Sequence, residues 1–457
     1  MRREENGHLK TFLMKIKVLS RSDQKYQAPQ PGAVAPILRN RDTKLHPFQL
    51  EREYVRALNA TKLQKVFAKP FLAALQGHND TICSMAIHKH KLTIAASGSC
   101  NGELRLWNLS SRNTIWSSLA HSAWVRSISF SADDQHVITA SDDKTIKFWS
   151  LSNYSTSPVR TLLSQHTIYG IDSNWNSSVY ASCGGNGTVE IWNNEFSDPI
   201  HRFKWGDDTL TSVAFNPSEH DLIAATGYDR SITLMDLRQQ SSIKKVVTEM
   251  RSNQVSWVSS EPMNFLAANE DSNVYLFDMR YLLRPQTIYK DHTAAVMSVS
   301  SCPTGKYFAT GSYDRTIRLW SLSDPRSLDI YHTQRMQRVF SVAYTLDAGF
   351  VLSGSDDGDV RIWKARSTDS LKPLTAKEQA SRDYSTALIK KFKDVPELSS
   401  IRRKRHVPKL IHKMRVQRHE QQQKVLRKRE NVARHVAPDK VARVVSEKER
   451  KIKAVID

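Results

Sequence analysis

A segment of about 43 residues recurs seven times in the middle of the chain. Each copy ends in a short β-rich run, and the last residue of each run is large and apolar. The runs are ELRLW, TIKFW, TVEIW, SITLM, NVYLF, TIRLW and DVRIW, ending at Trp107, Trp149, Trp192, Met235, Phe277, Trp320 and Trp363. Because successive ends are 42 or 43 residues apart, each copy is expected to form one unit of a repeat architecture.

An Asp or Asn stands six residues before the end of every copy. These residues favour a turn between antiparallel strands, because their side chains hydrogen-bond to nearby backbone and tolerate unusual dihedral angles. They are Asn101, Asp143, Asn186, Asp229, Asp271, Asp314 and Asp357. A period of about 40–45 residues is typical of WD repeats with four strands each, so seven copies predict an all-β, seven-bladed WD-repeat β-propeller.

Polar residues recur at fixed places in several copies. A histidine precedes the end of four copies, at His78, His121, His166 and His292. In the second copy we expect His121, Ser141, Asp143 and Trp149 to form one buried polar chain that satisfies the indole N–H. One-per-repeat placement favours a structural blade network over catalysis or metal binding. The other members assigned to this network are His78, Asp314, Trp320, Asp357 and Trp363.

The sequence outside the repeats predicts helices and one strand. We assign 1-50 to an extended basic N-terminal arm, 51-69 to a lead-in helix, 70-365 to the propeller and 366-457 to a basic helical C-terminal domain. Of two candidate outer strands for the last blade, 71–75 and 371–374, the first is favoured because it runs directly into the first repeat. A capping box at Thr375–Glu378 predicts a helix that ends near Val395. Pro408 predicts another that continues to about His435.

The excess positive charge lies at the two ends of the chain. The sequence has 67 Lys and Arg against 46 Asp and Glu, a net charge of +21. The counts are 12 against 6 in residues 1–59, 29 against 29 in 60–365, and 26 against 11 in 366–457. A neutral body with basic ends predicts partners that are polyanions or acidic protein surfaces.

The basic clusters of the C-terminal region have two open interpretations. They are typical of a nuclear-import signal or a solvated face. They are also typical of contact with RNA phosphates or an acidic ribonucleoprotein surface, which we favour and which does not exclude import. No RRM, KH or zinc-knuckle pattern is present, so base-specific recognition is not expected. The candidate contact residues are Arg402, Arg403, Lys404, Arg405, Arg415, Arg418, Arg427, Lys428 and Arg429.

The sequence contains no motif of the common enzyme classes. A P-loop, a GxGxxG that opens a helix, HExxH and GxSxG are all absent, so we predict no catalytic residue, no metal site and no cofactor. The cysteines, which form no CxxC pair, are Cys83, Cys100, Cys183 and Cys302. A disulfide scaffold is therefore not expected, and a reducing compartment is favoured. No apolar run approaches the roughly 20 residues of a membrane span.

Residues 45–77, LHPFQLEREYVRALNATKLQKVFAKPFLAALQG, resemble the lead-in of the Sof-like WD-repeat family. The resemblance continues through NEDSNVYLFDMR (269–280) and SGSDDGDVRIWKA (353–365), and it extends along the basic tail. It covers about residues 14–457. The start of the family corresponds to Met14, so we interpret 1–13 as an extension or as the product of an upstream start.

The resemblance implies a nucleolar function. Members of this family are components of the small-subunit processome, the particle that surrounds the box C/D small nucleolar RNA paired with pre-rRNA. The implied role is a non-enzymatic scaffold needed to make 18S ribosomal RNA. The implied partners are pre-rRNA, the box C/D small nucleolar ribonucleoprotein and other processome proteins, with no membrane, in the nucleus and nucleolus.

Vertebrate members of the family are also linked to a cullin-RING ubiquitin ligase as substrate receptors. The associated feature is Asp-x-Arg after the last residue of a repeat. The residues that carry it here, and that the resemblance implies as adaptor contacts, are Asp236, Arg238, Asp278 and Arg280. Arginine provides a forked donor for acidic or carbonyl groups. The same tripeptide is common in WD proteins of other functions, so the motif alone leaves both interpretations open.

Overall fold

A computed structural model of the chain describes residues 45–46, 48–204, 206–239, 241–371, 373–435 and 446–456. These residues fall into two compact units. One contains the described parts of 1–69 and 367–404, and the other contains those of 70–366 and 405–457. The expected arm over 1–50 lies outside the described residues except at 45–46 and 48–50. The C-terminal region expected to start at 366 is shared between the two units.

In the described part of 70–366, seven antiparallel sheets follow one another along the chain, as the repeat predicts. The inner strands are β2 (Ile82–Ile87), β6 (Val125–Phe130), β10 (Ile168–Ser173), β14 (Leu210–Phe215), β18 (Ser252–Trp257), β22 (Val296–Ser301) and β26 (Val339–Tyr344). The second strands are β3 (Ile94–Ser99), β7 (His136–Ser141), β11 (Val179–Gly184), β15 (Leu222–Gly227), β19 (Asn264–Asn269), β23 (Tyr307–Ser312) and β27 (Phe350–Ser355).

The third and outer strands complete the blades. The third strands are β4 (Glu103–Asn108), β8 (Thr145–Ser150), β12 (Thr188–Asn193), β16 (Ser231–Asp236), β20 (Val274–Asp278), β24 (Ile317–Ser321) and β28 (Val360–Lys364). The outer strands are β5 (Asn113–Leu119), β9 (Arg160–Leu163), β13 (His201–Lys204), β17 (Ser242–Thr248), β21 (Thr287–Tyr289), β25 (Asp329–Tyr331) and β1 (Phe71–Leu75). The fold is therefore the predicted seven-bladed propeller.

The last blade is closed by the first strand among the described residues. Strand β1 pairs antiparallel with β28, with Leu75 opposite Val360. The alternative, 371–374, contains no strand among its described residues. This pairing joins the two ends of the ring and covers an edge that would otherwise be open.

The turn between the second and third strands has the same conformation in every blade. The residue after the recurring Asp or Asn of each repeat has a positive φ, between 63° and 87°, in all seven turns. In six of them the Asp or Asn side chain accepts the backbone N–H of the residue two positions later. At Gly102 a Cβ would lie 2.0 Å from the carbonyl oxygen of His121, so glycine is required there.

The apolar core lies between neighbouring blades. Leu266 and Leu276 of the fifth blade pack in one buried cluster with Phe308 and Trp320 of the sixth. The ring of Phe308 stacks on the indole of Trp320, with centroids 5.9 Å apart. Both side chains are fully buried. The large apolar residue at the end of each repeat is thus a buried core residue, and in this cluster it joins two blades.

The helical unit contains α1 (Gln49–Lys65), α2 (Ala376–Lys391) and α3 (Pro396–Arg403). The predicted capping box starts α2: Thr375 accepts the N–H of Glu378, whose carboxylate accepts the N–H of Thr375. The helix ends at Lys391, four residues before the position expected from the sequence. The core of the helical unit contains Ala57, Leu388 and Leu398, one from each of these three helices.

The C-terminal part of the propeller unit contains α4 (Lys409–His435), α5 (Glu447–Arg450) and β29 (Ile452–Ile456). Helix α4 starts directly after Pro408 and ends at His435, as predicted. Strand β29 was not predicted, because a run of five residues is too short to give a clear periodic signal. It pairs antiparallel with β17 and becomes a fifth strand of the fourth blade. Ile452 and Val455 pack against the apolar cluster between the fourth and fifth blades.

Candidate functional site

The sixth blade contains a buried chain of polar side chains. Nδ1 of His292 lies 2.8 Å from Oδ2 of Asp314, and Nε2 of the same ring lies 2.7 Å from Oγ1 of Thr310. The indole N–H of Trp320 donates to this hydroxyl over 2.9 Å. All four residues are buried. The chain therefore connects the second strand, the third strand and the loop before the inner strand.

The second blade has the same arrangement with one difference from the sequence prediction. His121 lies 2.8 Å from Asp143 and 2.8 Å from Thr139, which accepts the indole N–H of Trp149 over 3.1 Å. The bridging hydroxyl is thus Thr139, whereas Ser141 accepts the backbone N–H of Asp143. The register explains the difference: Trp149 is opposite the residue two positions before Thr139, and Ser141 lies two positions farther along the strand.

The first blade replaces one member of the chain. Its turn residue is Asn101, and Nδ1 of His78 lies instead 3.1 Å from a carboxylate oxygen of Glu103. Nε2 of His78 lies 2.6 Å from the hydroxyl of Ser97, which also accepts the N–H of Trp107 over 2.7 Å. The hydroxyl that joins the imidazole to the indole is therefore retained.

The seventh blade keeps the indole contact without a histidine. Trp363 donates to the hydroxyl of Ser353 over 2.9 Å, and Asp357 forms an ion pair with Arg361. In the third blade, His166 is exposed, so the recurrence of histidine in the sequence does not by itself identify a network member.

Burial determines the charge state of these networks. It lowers the pKa of His78, His121 and His292, and the neighbouring carboxylates only partly offset this effect. Burial alone would raise the pKa of Asp314, but His292 and Arg318 hold it below its ordinary value. The three imidazoles are therefore neutral at neutral pH, and because they are buried the effect of these networks is on the stability of the blades.

The first half of α4 contacts the propeller through basic side chains. The guanidinium of Arg418 donates to the backbone carbonyls of His292 over 2.9 Å and of Asp271 over 3.3 Å. Arg415 lies 3.6 Å from a carboxylate oxygen of Asp291. These contacts place the helix against the fifth and sixth blades.

A third arginine attaches the segment just before α4. Arg405 donates to the carbonyl of Ser327 from Nε over 3.0 Å and from Nη2 over 2.7 Å. Ile411, in the first turn of the helix, is 3% exposed. Three of the nine basic residues singled out in the sequence thus contact the propeller, because backbone carbonyls and a carboxylate face them there.

The second half of α4 has no buried face. Every residue of 419–435 is exposed. Its basic side chains are Lys424, Arg427, Lys428, Arg429 and Arg434, against Glu420 and Glu430. Three more of the predicted contact residues, Arg402, Arg403 and Lys404, are exposed at the end of α3 in the helical unit. A basic helix with nothing to bury is best suited to contact a polyanionic or acidic partner.

The two Asp-x-Arg segments follow the third strands of the fourth and fifth blades. In each, the aspartate accepts the backbone N–H of the arginine over 3.0 Å. The side chains of Arg238 and Arg280 are 68% and 71% exposed. Arg238 pairs with Asp221 over 2.6 Å, and Arg280 pairs with Asp278 over 2.9 Å. Both guanidinium groups are therefore oriented by a carboxylate and open to a partner.

Comparison with known proteins gives the family. The family model of the Sof1-like domain matches residues 365–452, and that of the WD domain, G-beta repeat, matches 69–108, 113–150, 156–193, 283–321 and 328–364. DDB1- and CUL4-associated factor 13 of Homo sapiens is 41% identical over 447 residues, covering 97% of this chain and all of the relative. The Danio rerio protein of that name is 39% identical over 448 residues, with the same coverage. Protein SOF1 of Saccharomyces cerevisiae is 38% identical over 427 residues, covering 88% of this chain and 87% of the relative.

The chain belongs to the Sof1-like WD-repeat family. The resemblance described from the sequence is thus confirmed. The matched repeats of this Sof1-like chain do not include 194–282, which contains β14 to β17 of the fourth blade and the first three strands of the fifth. Both blades are nevertheless complete. Their repeats end in Met235 and Phe277, each of which fills the buried position of the usual tryptophan.

The C-terminal strand is a feature of this Sof1-like chain that the sequence reasoning missed. Lys451, just before β29, lies 2.8 Å from Glu249 and 3.0 Å from Asp271. Glu447 lies 2.5 Å from Lys290, on the loop that follows β21. The five residues of Ile452–Ile456 contain no clear periodic signal from which the strand was recognisable. These contacts attach the end of the described chain to the propeller, as the three arginines attach the start of α4.

Two kinds of feature are absent from the residues that the structure describes. Nowhere in the described ranges do three or more His, Cys, Asp or Glu side chains come together in a way that could hold a metal ion. Among the described helices, none has the length and apolar character required to cross a membrane.

Proposed function

We propose that this Sof1-like chain is a non-enzymatic scaffold of the small-subunit processome and supports the processing of pre-rRNA to 18S rRNA. The observation that carries the proposal is the exposed basic second half of α4. The first half of the same helix is attached to the propeller by Arg415 and Arg418. A fixed row of positive charges suits the phosphates of pre-rRNA and of a box C/D small nucleolar ribonucleoprotein.

The propeller would provide the contacts with other proteins. Its body has equal numbers of basic and acidic residues, and its blades are rigid, so its loops suit contacts with other processome proteins. The family relationship supports the same function. The corresponding location is the nucleus, and within it the nucleolus.

The proposal is tested by sedimentation of the tagged full-length protein from nuclear extract. We expect rapid sedimentation with large particles, and a shift to the top of the gradient after treatment with ribonuclease. Ribonuclease removes the pre-rRNA that holds such a particle together. Slow sedimentation that ribonuclease does not change would contradict the proposal.

A second candidate function is that of a substrate receptor of a cullin-RING ubiquitin ligase. Relatives that match 97% of this chain have the name DDB1- and CUL4-associated factor 13. The supporting observation here is that two exposed arginines, Arg238 and Arg280, occupy equivalent positions in adjacent blades. Asp236 and Asp278 cap the turns that present them. Two guanidinium groups on adjacent blades suit an adaptor surface with acidic or carbonyl groups.

Charge reversal of both arginines tests this second function. We expect the double variant Arg238→Glu and Arg280→Glu to bind purified DDB1 about 100-fold more weakly, because interface arginines are often energetic hot spots. Binding is measured by surface plasmon resonance with the full chain. The matched control is Arg112→Glu with Arg326→Glu, two exposed arginines in the equivalent loops of the first and sixth blades. Equal binding by both double variants would exclude these residues as the adaptor site.

A further inference from the structure

Two cysteines that are 17 positions apart in the sequence meet in the first blade. Cys83 is on the inner strand β2, and Cys100 directly follows the second strand β3. Their sulfur atoms lie 2.6 Å apart, although no bond joins them. An S–S bond is about 2.05 Å long, so the two side chains already approach bonding distance. The inner strand has an irregularity here, with Ile82 opposite Ser99 and Ser84 opposite Gly98, so Cys83 has no directly opposite residue in the register of this strand pair.

The surroundings of the pair make the two sulfur atoms chemically different. The hydrogen bond from Cys83 lowers the pKa of Cys100, whereas the same bond raises that of Cys83. The Arg126 guanidinium contributes to the lowered pKa of Cys100 and only partly offsets the raised pKa of Cys83. Cys100 is therefore the thiol that ionises first, and it is the nucleophile of the pair. Both residues are half-buried, so small oxidants have access to them.

The pair lies beside a hydrogen bond between the first and last blades. The backbone N–H of Cys100 donates to the carbonyl of Thr81 over 2.9 Å. The hydroxyl of Thr81 donates over 2.6 Å to the carboxylate of Asp356, which belongs to the last blade. A covalent bond between the two sulfur atoms would fix the segment that makes this contact.

We propose that Cys83 and Cys100 form a redox-sensitive site at which a hydroperoxide produces a reversible disulfide within the first blade. The Cys100 thiolate attacks the peroxide, an S–O bond forms, the O–O bond breaks, and the other oxygen leaves as water or an alcohol after taking up a proton. The sulfur of Cys83 then attacks the sulfenic acid, the S–S bond forms, and the hydroxyl leaves as water with the proton of Cys83. Two electrons pass from the sulfur pair to the peroxide.

The test uses the reduced full-length protein, treated with hydrogen peroxide and then alkylated after denaturation. We expect the mass before alkylation to fall by about 2 Da, the loss of two hydrogen atoms. Trypsin cuts at Lys89 and Lys91, between the two cysteines, so the disulfide should appear as two peptides joined only by that bond. Dithiothreitol should restore both alkylation sites.

The remaining cysteines and two variants provide the controls. Cys183 and Cys302 are 1% and 2% exposed and should stay reduced. In Cys83→Ser, dimedone should trap a sulfenic acid on Cys100, whereas Cys100→Ser should give neither a disulfide nor a trapped acid. Serine differs from cysteine by one atom, and the melting temperature of each reduced variant confirms that it folds. The inference is overturned if Cys83 and Cys100 are both still alkylated after peroxide treatment, or if the product is a sulfinic acid that dithiothreitol does not reverse.

Discussion

Replacement of Asp314 with alanine is expected to lower the free energy of unfolding of the propeller by about 3–5 kcal/mol, the cost typical of removing one partner from a buried charge pair. The Asp314 side chain is 1% exposed and contacts His292 and Thr316. It also lies 4.0 Å from Nη2 of Arg318. The variant thus removes a hydrogen-bond acceptor from this network and one of the two negative charges near a buried guanidinium.

The position of Arg318 makes this loss large. Its side chain is 2% exposed, and within the described residues its Nε and Nη1 have no hydrogen-bond partner. Apart from Asp314, the acidic group near it is Asp291, at 3.9 Å. Without Asp314, the Arg318 charge would be only partly compensated, in a core where water cannot solvate it.

Asp229→Ala is the matched control for this variant. Asp229 has the same turn position in the fourth blade, but it pairs with Lys245, and no histidine is part of its contacts in the described residues. The Asp229→Ala variant loses the same turn contacts but disrupts no buried histidine network. We therefore expect it to lower the free energy of unfolding by about 1–2 kcal/mol. Chemical denaturation of the two full-length variants measures the difference. Equal losses would show that the turn alone, and not the network, accounts for the stability at this position.

The repeat was sufficient to predict the propeller because its signal lies in local sequence. Each turn needs an Asp or Asn and each blade interface needs a large apolar side chain, and both requirements recur at fixed spacing. The closing strand was also predictable, since its position before the first repeat is equivalent to that of the other outer strands. In the same way, the capping box at Thr375 and the proline at 408 predicted where two helices begin.

The parts that were missed depend on three-dimensional contacts. Thr139 rather than Ser141 joins His121 to Trp149, because the cross-strand register decides which hydroxyl reaches the indole. Strand β29 pairs with the outer strand of the fourth blade. The sequence of the tail contains no information about the availability of that strand edge. For the same reason, the sequence did not separate the arginines that attach α4 to the propeller from those that stay exposed.

Neutralisation of the exposed half of α4 is expected to weaken RNA binding by about 10²–10³-fold at 0.15 M salt. The variant replaces the five basic residues of this segment with glutamine, which keeps the helix propensity. The changed residues are Lys424, Arg427, Lys428, Arg429 and Arg434. If each contacts one phosphate of a single strand, the loss of counterion release should also reduce the slope of log K against log salt by about 0.7 per residue.

Fluorescence anisotropy with a labelled pre-rRNA fragment, repeated at several salt concentrations, measures both quantities. The matched control neutralises five exposed basic residues of the propeller instead, namely Lys91, Arg112, Arg284, Lys306 and Arg326. The two variants have the same net charge, so a general effect of charge would weaken both equally. A selective loss in the α4 variant would identify the helix as the RNA contact. If its affinity and salt slope both remain those of the unmodified chain, the helix contacts an acidic protein surface or serves nuclear import, and the RNA contact must come from other residues.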